Sequence, residues 1–484
     1  MPINNPEALL RRLLEEPKET EWLEFKHNNG DPDLIGECAS ACANSAMLLG
    51  RDRAFIVFGI EDGTKNLLGT QVRLTIMKKG GEGFTNWLSR QLSPRLMIDF
   101  ADFQCEGKDL AILVIEPTYD RPVSFSGMEW IRVGEHKKKL KDHPEHEKAL
   151  WIATSRRKFE SAVALSHQTP EQIAELLDVD CYYALSAQEK PRNPDEVIRR
   201  FTERGFLTDD MEGGLNITNL GAILFAKNIG NFSSIAWKSV RVIKYAGYDK
   251  RAAEHEQEGV KGYAVGFSGL LAFIKRHLPK RESYPNGVRR QVPLYSEIAI
   301  REIVANALIH QDFLITGVGP VVEIYEDRIE INNPGNSLIE VDRIIDERRS
   351  RNEKLARSMR ELNLCEERGG GIDKAIIDIE EKFLPAPEFF GSEHSMRVVI
   401  FGPKKFSELS KAEKIWSCFC HCVVRWIRHD YMSNGSLRER FDLKDEEYQA
   451  VSGVIGDTRR AGKIVPAETN QSNKYARYVP RWAR

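Results

Sequence analysis

Residues 297–312 read EIAIREIVANALIHQD, and this stretch sets the frame for the central part of the chain. Glu302, Asn306 and His310 recur at intervals of four residues, so they fall on one edge of a predicted helix whose other side is apolar. A carboxylate and an amide one turn apart can hold Mg²⁺, or its bound water, against a polyphosphate. The stretch therefore predicts a helix that carries part of a Mg-nucleotide site.

A predicted β-hairpin follows this helix. VVEIY (321–325) and RIEIN (328–332) alternate polar and apolar residues, and the second run leads into Asn333, Pro334 and Gly335. The turn of this hairpin is predicted at residues 326 and 327.

A Gly triplet lies further along, in ERGGGIDKAI (367–376), where a helix should begin. Free N–H groups there, with no Cβ to block a phosphate, are suited to anion binding. Taken alone, a polar helix stripe is more often a solvated face, and a Gly triplet is more often a turn. The ordered succession of stripe, hairpin and Gly-rich helix start favours an ATP site.

NALIH, NPG and ERGGGI together resemble the divergent GHKL ATPase domain of bacterial proteins once labelled as helicase-related. The resemblance implies that Glu302 activates the hydrolytic water and that Asn306 ligates the metal. Better-studied GHKL ATPases have an Asp that accepts from the adenine amino group, where this chain has Asn333, so we expect ATP binding more firmly than turnover. The expected cofactor-binding residues are Asn306, His310, Asn333, Gly335, Arg368, Gly369, Gly370 and Gly371.

A second informative region lies near the N-terminus, where KETEWLEFK (18–26) precedes AFIVFGIEDG (54–63). Glu24 and Lys26 would face the same way in a strand. If Glu19, Glu24 and Asp62 converge within about 4 Å, each pair repels by roughly 4 kcal/mol at an effective dielectric near 20, so the cluster needs a cation or a proton. A divalent ion there would serve phosphodiester cleavage, with Lys26 neutralising the phosphate. The alternative is an edge strand whose charges face solvent.

Residues 15–70, with LEFK, ACANSA and FGIEDGTKNLLG, resemble the Schlafen/AlbA-type domain. Members that cleave RNA use a Glu, a second Glu five positions later just before Phe and Lys, and an Asp after an FG-type strand. Glu19, Glu24 and Asp62 match that pattern, which implies metal-ligating and catalytic roles for the three carboxylates and a catalytic role for Lys26. Many bacterial relatives are described only as DNA-binding.

Composition limits the remaining possibilities. The chain has 484 residues, 41% of them apolar, with 70 basic and 72 acidic side chains, so nucleic acid would have to bind at local basic patches. Two candidate patches are Arg132 with Lys137–Lys141, and Arg289 with Arg290. The eight cysteines form no paired framework, and neither a signal peptide nor a membrane-spanning apolar run is present, so we expect a cytoplasmic protein without a membrane partner.

The cysteine-rich stretch IWSCFCHCVVRWI (415–427) invites a zinc interpretation. The stretch is predicted to be helical, and Cys420 does not share a face with Cys418 and Cys422. We therefore favour buried thiols in a helix core.

The predicted fold class is α/β and α+β multidomain. We expect a Schlafen/AlbA-like nucleic-acid-binding or nuclease domain at 1–150, a helical bridging module at 151–235, a GHKL-type α/β sandwich ATP-binding domain at 236–403 and a winged helix at 404–484. Residues 336–365, rich in charge, form the predicted lid over the nucleotide.

Two functions remain open. The first is a ribonuclease dependent on Mg²⁺ or Mn²⁺ and regulated by ATP, acting on structured RNA such as tRNA, in phage defence or a stress response. The second is an ATP-responsive DNA-binding regulator without nuclease activity. The carboxylate set favours RNA cleavage, and DNA is the alternative partner. Because GHKL domains often pair, the resemblance also implies a homo-oligomer, a dimer or larger.

Overall fold

The structure is a computed structural model that describes residues 3–16, 19–118, 120–154, 159–283, 290–366, 370–468 and 476–484. The chain forms two compact units. Unit 1 contains residues 1–170 and 198–218, and unit 2 contains residues 171–197 and 219–484. Both units mix helices with sheets, which confirms the predicted α/β and α+β multidomain class. The finer boundaries at 150, 235 and 403 stay predictions.

Unit 1 is built from sheets packed around one long helix. Its helices are α1 (Pro6–Leu14), α2 (Pro32–Leu48), α3 (Phe84–Gln91) and α4 (Pro144–Thr154). Its strands are β1 (Leu23–Lys26), β2 (Ala54–Phe58), β3 (Lys78–Lys79), β4 (Glu82–Gly83), β5 (Leu92–Ser93), β6 (Met97–Cys105), β7 (Lys108–Glu116), β8 (Ser124–Phe125), β9 (Met128–Val133), β10 (His136–Lys139), β11 (Val163–Gln168), β12 (Leu207–Asp209) and β13 (Leu215–Thr218).

The larger sheets of unit 1 have the strand orders β1-β2-β7-β6 and β10-β9-β8-β5, and a third runs β11-β13-β12. β1 pairs in parallel with β2, and β1 is an edge strand. Leu23 and Phe25 are buried in the core, while Glu24 and Lys26 lie on the other side of the strand. The predicted side-chain alternation in LEFK is therefore confirmed.

Helix α2 is buried on nearly all sides because its residues are small, and it packs against β2, β8 and β9. Asn44 is fully buried and joins this helix to the chain on either side of β8. Its Nδ2 donates to the carbonyls of Val123 (2.8 Å) and Trp130 (2.7 Å), and its Oδ1 accepts from the Val123 N–H (2.7 Å). One amide side chain thus satisfies three backbone groups that water cannot reach.

Unit 2 contains the remaining elements, with α7 crossing the boundary between the units. Its helices are α5 (Pro170–Leu176), α6 (Val179–Ser186), α7 (Pro194–Glu203), α8 (Asn219–Phe225), α9 (Tyr263–His277), α10 (Glu297–His310), α11 (Glu353–Glu361), α12 (Gly371–Glu381), α13 (Lys411–Ile427), α14 (Asn434–Arg440) and α15 (Tyr448–Arg460). Its strands are β14 (Arg241–Tyr245), β15 (Ala253–Glu258), β16 (Lys280–Ser283), β17 (Arg290–Pro293), β18 (Val321–Ile324), β19 (Arg328–Pro334), β20 (Glu388–Gly391), β21 (Ser395–Phe401), β22 (Ile464–Pro466) and β23 (Tyr478–Pro480).

The main sheet of unit 2 has the order β15-β14-β18-β19-β21-β20, and only the β14–β18 pair among its described strands is parallel. β18 and β19 form the predicted hairpin, since Val321 pairs with Asn332 and the Tyr325 N–H donates to the Arg328 carbonyl across residues 326 and 327. Helix α10 packs against β19 and lies beside α12.

The C-terminal part of unit 2 consists of α13, α14 and α15 followed by the antiparallel pair β22–β23. We call residues 404–484 the C-terminal module, and its assignment as a winged helix stays a prediction. Cys418, Cys420 and Cys422 are buried within α13, which confirms the prediction of buried thiols, and burial raises the pKa of Cys418 to about 12. Among the described residues, no helix is long and apolar enough to cross a membrane.

The role of Asn44 gives a direct test of the packing of unit 1. Asn44→Ala leaves the Val123 N–H and the Trp130 carbonyl without the partner that Asn44 provides, at a cost of roughly 3 kcal/mol. We expect amide hydrogen exchange in peptides of α2 and β9, followed by mass spectrometry, to become about a hundredfold faster. The exposed residue Asn86 provides the control, and Asn86→Ala should leave these peptides unchanged. Equal exchange in both variants contradicts the proposed role of Asn44.

Candidate functional site

The candidate nucleotide site in unit 2 depends on the close approach of two helices. A Cβ on Gly371 would lie 2.8 Å from Oε2 of Glu302 and 3.7 Å from Nδ2 of Asn306, so a side chain at this position would force the Glu302 carboxylate to shift. The N-cap residue of α12 is Gly370, whose lack of a side chain leaves the first turn without a side-chain cap. The first turn of α12 thus lies beside a carboxylate and an amide.

A cavity of about 460 Å³ opens at this helix start. Five of the predicted site residues line it: Glu302, Asn306, His310, Asn333 and Gly371. Most of the remaining wall comes from the predicted lid, including Asn336, Ile344, Ile345, Glu347, Arg348 and Arg351.

The other predicted cofactor-binding residues have different positions. Gly335 is not among the residues that line the cavity. It has a positive φ of 100°, and a Cβ there would lie 2.7 Å from the Cβ of Asp312, so glycine allows the hairpin end to pack against the chain after α10. Gly370 lies at the N-cap of α12, next to the lining residue Gly371. Arg368 and Gly369 lie outside the described residues.

Glu302 is only 2% exposed, and this burial raises the pKa of its carboxyl. Arg301 opposes the rise, since its Nη1 donates to Oε1 of Glu302 at 2.5 Å. A carboxylate with a raised pKa is a stronger base when it is ionised. The environment of Glu302 is therefore suited to the role of general base that the resemblance implies.

His310 lies one turn beyond Asn306 on the same edge of α10. Burial, together with repulsion from Arg351 and Arg360, lowers the pKa of His310 to about 4. The imidazole is therefore neutral at physiological pH, and one ring nitrogen can accept a hydrogen bond.

Two residues of the predicted lid brace the end of α10, a role that the sequence analysis did not assign. The side-chain Nδ2 of Asn352 donates to the carbonyls of Ile309 (2.7 Å) and Gln311 (2.8 Å) and so satisfies the C-terminal end of the helix. Arg351 binds the Asp312 carboxylate at 3.1 Å and Oδ1 of Asn336 at 2.8 Å. Asn352 ends the triplet Ser350, Arg351 and Asn352 in the sequence, but its contacts with residues about forty positions earlier could not be predicted from a local pattern.

In unit 1 the structure brings Glu19, Glu24 and Lys26 together, but around an arginine. The guanidinium of Arg132 lies between the two carboxylates, with Nη2 at 3.1 Å from Glu19 and Nη1 in an ion pair with Glu24. Lys26 donates to Glu24 at 2.8 Å, and Glu19 also accepts from the Phe25 N–H at 2.6 Å. The positive charge that the sequence analysis assigned to a metal ion is supplied here by side chains.

Asp62 does not join this cluster. It is exposed, and among the described residues the ligand atoms of Glu19, Glu24 and Asp62 do not form a group within 4.8 Å of one another. We expected three carboxylates to meet around one cation. In the structure, two of them pair with Arg132 and the third, Asp62, lies apart from them. The group that does meet this distance in the described parts of the chain is His143, Glu145 and His146, at the start of α4, away from the predicted metal residues. The catalytic roles of the three carboxylates and Lys26 stay predictions.

The structure removes Arg132 from the first of the two predicted basic patches. Arg132 is 4% exposed and belongs to the interior, so it is not part of a surface patch. Lys138, Lys139 and Lys141 are exposed on β10 and just after it, and Lys139 lies 5.9 Å from the ring centroid of Trp130. Arg289 lies outside the described residues, and Arg290 lies in β17.

Two family models match parts of this chain. One is "Schlafen, AlbA_2", over residues 19–141, and the other is "Putative ATP-dependent DNA helicase recG C-terminal" (HATPase_c_4), over residues 317–400. The first match includes Glu19, Glu24, Lys26, Asp62 and Arg132. The second includes the hairpin, the predicted lid and the start of α12, while α10 precedes it.

Among solved structures, this chain is similar to the DIP2311 protein from Corynebacterium diphtheriae, with 15% identity, a TM-score of 0.41 and coverage of 98% of this chain and 97% of that one. A likeness at this level carries no argument about the site. No curated protein was found to match the chain. The matched regions and the fold together show that the chain carries a Schlafen/AlbA_2-type domain within residues 19–141 and a helicase-related HATPase-type domain within residues 317–400.

Proposed function

We propose that this chain binds ATP in the cavity of unit 2 and nucleic acid on unit 1, and that it responds to ATP as a nucleic-acid-binding regulator. The main support for the ATP site is that the backbone at Gly371 lies close to the side chains of Glu302 and Asn306. The two family matches support an ATP-binding, nucleic-acid-binding protein at this level of detail.

The residues around the cavity fit Mg-ATP. The start of α12 offers N–H groups to the phosphates, and Asn306 and Glu302 offer the hard oxygen donors that Mg²⁺ requires. Asn333, 6% exposed, lines the same cavity and is proposed to contact the base. Bound Mg²⁺ would supply neutralising charge to the triphosphate, while Glu302 is the proposed base for hydrolysis.

A divalent ion does not fit the carboxylates of unit 1 in the same way. Arg132 lies between Glu19 and Glu24 and is almost completely buried, so a cation would have to displace a guanidinium that has little room to leave. Asp62, the third expected ligand, lies apart from these two. This arrangement favours binding without cleavage.

The proposed grip for nucleic acid is the ribbon of β9 and β10. Lys138 and Lys139 are exposed on β10, and Lys141 is exposed just after it. Trp130, on β9, is partly buried against the core of unit 1, and Lys139 lies over its ring. These exposed lysines are proposed to contact a phosphate backbone, with RNA as the favoured partner and DNA as the alternative.

The second candidate function is the ribonuclease dependent on Mg²⁺ or Mn²⁺ and regulated by ATP, with its setting in phage defence or stress response. The observation in its favour is that Glu24 and Lys26 share one side of β1 and bond to each other, close to Glu19. A homo-oligomer also stays a proposal, which rests on the resemblance alone.

The first prediction concerns the nucleotide site. Asn306→Ala removes an oxygen donor from the cavity, so we expect Mg-ATP affinity to fall by about tenfold or more while the melting temperature stays nearly constant. Isothermal titration calorimetry with Mg-ATP measures the affinity. Asn231→Ala, at an exposed position outside the cavity, should bind as the wild type does. Equal affinity in the two variants removes Asn306 from the site.

The second prediction concerns the basic ribbon. Replacing Lys138 and Lys139 with Glu should weaken RNA binding about tenfold at low salt and reduce the salt dependence, by about one unit of log–log slope for each phosphate that the protein no longer neutralises. A control with Lys78 and Lys108 replaced by Glu makes the same change in net charge at exposed positions of unit 1. Fluorescence anisotropy with labelled RNA measures the affinity at each salt concentration. If both double variants bind RNA equally weakly, net charge and not the ribbon explains binding.

The third prediction separates binding from cleavage. With Mn²⁺ or Mg²⁺, and with or without ATP, labelled tRNA and DNA should decay at the same slow rate with the wild type, with Glu24→Gln and with the control Glu21→Gln. Denaturing gels measure the decay. Metal-dependent cleavage by the wild type and the control that is lost in Glu24→Gln would establish the ribonuclease and refute the non-cleaving regulator.

A further inference from the structure

The predicted lid contacts two parts of unit 2 at once. Ile344, Ile345, Glu347 and Arg348 line the cavity. Just before them, the Asp342 carboxylate accepts two hydrogen bonds from Nζ of Lys463, both at 2.6 Å. Lys463 lies between α15 and β22 of the C-terminal module. A wall of the cavity is therefore tied to a part of the chain that does not line the cavity.

A second tie joins the same short segment to the end of the chain. The guanidinium of Arg343 lies 4.2 Å from the ring centroid of Trp482, close enough for a cation–π interaction. Arg343 also pairs with Asp346 at 2.7 Å and Glu347 at 3.0 Å, which stiffens the segment internally. The residues 342–347 thus form one braced segment that is anchored to the C-terminal module.

Apolar packing continues the connection. Ile345 is 4% exposed and belongs to the hydrophobic core of the C-terminal module, and Ile344 and Ile372 pack against that core. The same three isoleucines line the cavity. One layer of side chains therefore separates the cavity from the core of the module.

Helix α12 is held by the module at its far end. Glu380 accepts from Nδ1 of His421 at 2.9 Å and pairs with Nε of Arg440 at 3.3 Å, and all three side chains are largely buried. The near end of α12 is Gly371, at the cavity. Buried charged pairs of this kind specify one arrangement strongly, because leaving either partner unpaired is unfavourable.

We propose that the C-terminal module is a clamp that positions the predicted lid for nucleotide, with Lys463 and Trp482 as positioning residues that do not touch the ligand. This inference rests on the proposed ATP site. Because the clamp favours the nucleotide-binding arrangement of the lid, a ligand that draws Lys463 away from Asp342 lowers the affinity for ATP. By thermodynamic reciprocity, ATP disfavours binding of that ligand by the same factor.

The expected loss of ATP affinity depends on how exposed the Lys463–Asp342 pair is to solvent. The side chains of Lys463 and Asp342 are 31% and 39% exposed, so the pair is a partly solvated one, and its loss should weaken ATP binding about twofold to fivefold. Removing Trp482 as well should bring the loss to about tenfold.

The experiment measures Mg-ATP affinity by calorimetry for wild type, Lys463→Asp, Asp342→Lys and the double variant that exchanges the two charges. Both single variants place like charges together, so we expect weaker binding in each and recovery in the double variant. Lys444→Asp, at an exposed position in the same module, makes the same charge change as Lys463→Asp away from the lid and should bind as the wild type does. A role limited to folding would lower the melting temperature of the single variants, whereas the clamp predicts weaker ATP binding with the melting temperature nearly unchanged.

Hydrogen exchange gives an independent reading. Peptides within 336–351 should exchange faster in Lys463→Asp than in wild type without nucleotide, and the double variant should restore the slow rate. If the wild type binds no ATP, the proposed nucleotide site fails. If the wild type binds ATP and the four variants match it in affinity and exchange, or if the double variant does not recover, the clamp alone is overturned.

Discussion

The candidate nucleotide site depends on one close contact, in which the backbone at the start of α12 meets side chains on one edge of α10. Position 371 has no side chain, and a methyl group there would displace the Glu302 carboxylate. Beside this contact lies the cavity, which Asn306 and Glu302 line, and burial raises the pKa of the Glu302 carboxyl. Asn352 and the C-terminal module hold the two helices in the positions that the contact requires.

Glu302 in unit 2 and the pair Glu19 and Glu24 in unit 1 have different surroundings, which suit these carboxylates to different roles. Glu302 accepts from Arg301 on one oxygen and from the Glu366 N–H, at 3.4 Å, on the other, and it lines the cavity. Glu19 and Glu24 share a buried guanidinium, and Glu24 also pairs with Lys26, so positive side chains already offset their charge. A carboxylate that lines a cavity can meet a ligand, whereas two carboxylates that share a buried guanidinium hold a structure together. This difference is the physical reason for preferring ATP binding in unit 2 and non-cleaving nucleic-acid binding on unit 1.

Local patterns in the sequence predicted the elements around the cavity well. The period of four in residues 297–312, the alternation in the hairpin and the Gly-rich start of α12 each depend on a few neighbouring residues, and each was found where the pattern indicated. The partners of the carboxylates could not be predicted in this way. Arg132 lies 113 residues from Glu19 along the chain, and its pairing depends on how β9 packs beside α2. The C-terminal module presents the same limit, because the bond from Lys463 to Asp342 spans 121 residues and no local pattern marks it.

A single arrangement then connects the parts of unit 2. ATP would sit between α10, the hairpin end and the predicted lid, and the lid and α12 would report its presence to the C-terminal module. A crystal structure of the chain with Mg²⁺ and a non-hydrolysable ATP analogue tests this account most directly. The account predicts phosphate oxygens within hydrogen-bond distance of the backbone N–H groups at Gly370 and Gly371, with the metal ion on the Asn306 side. An analogue bound elsewhere on the protein, or a cavity that stays empty at saturating analogue, would contradict it.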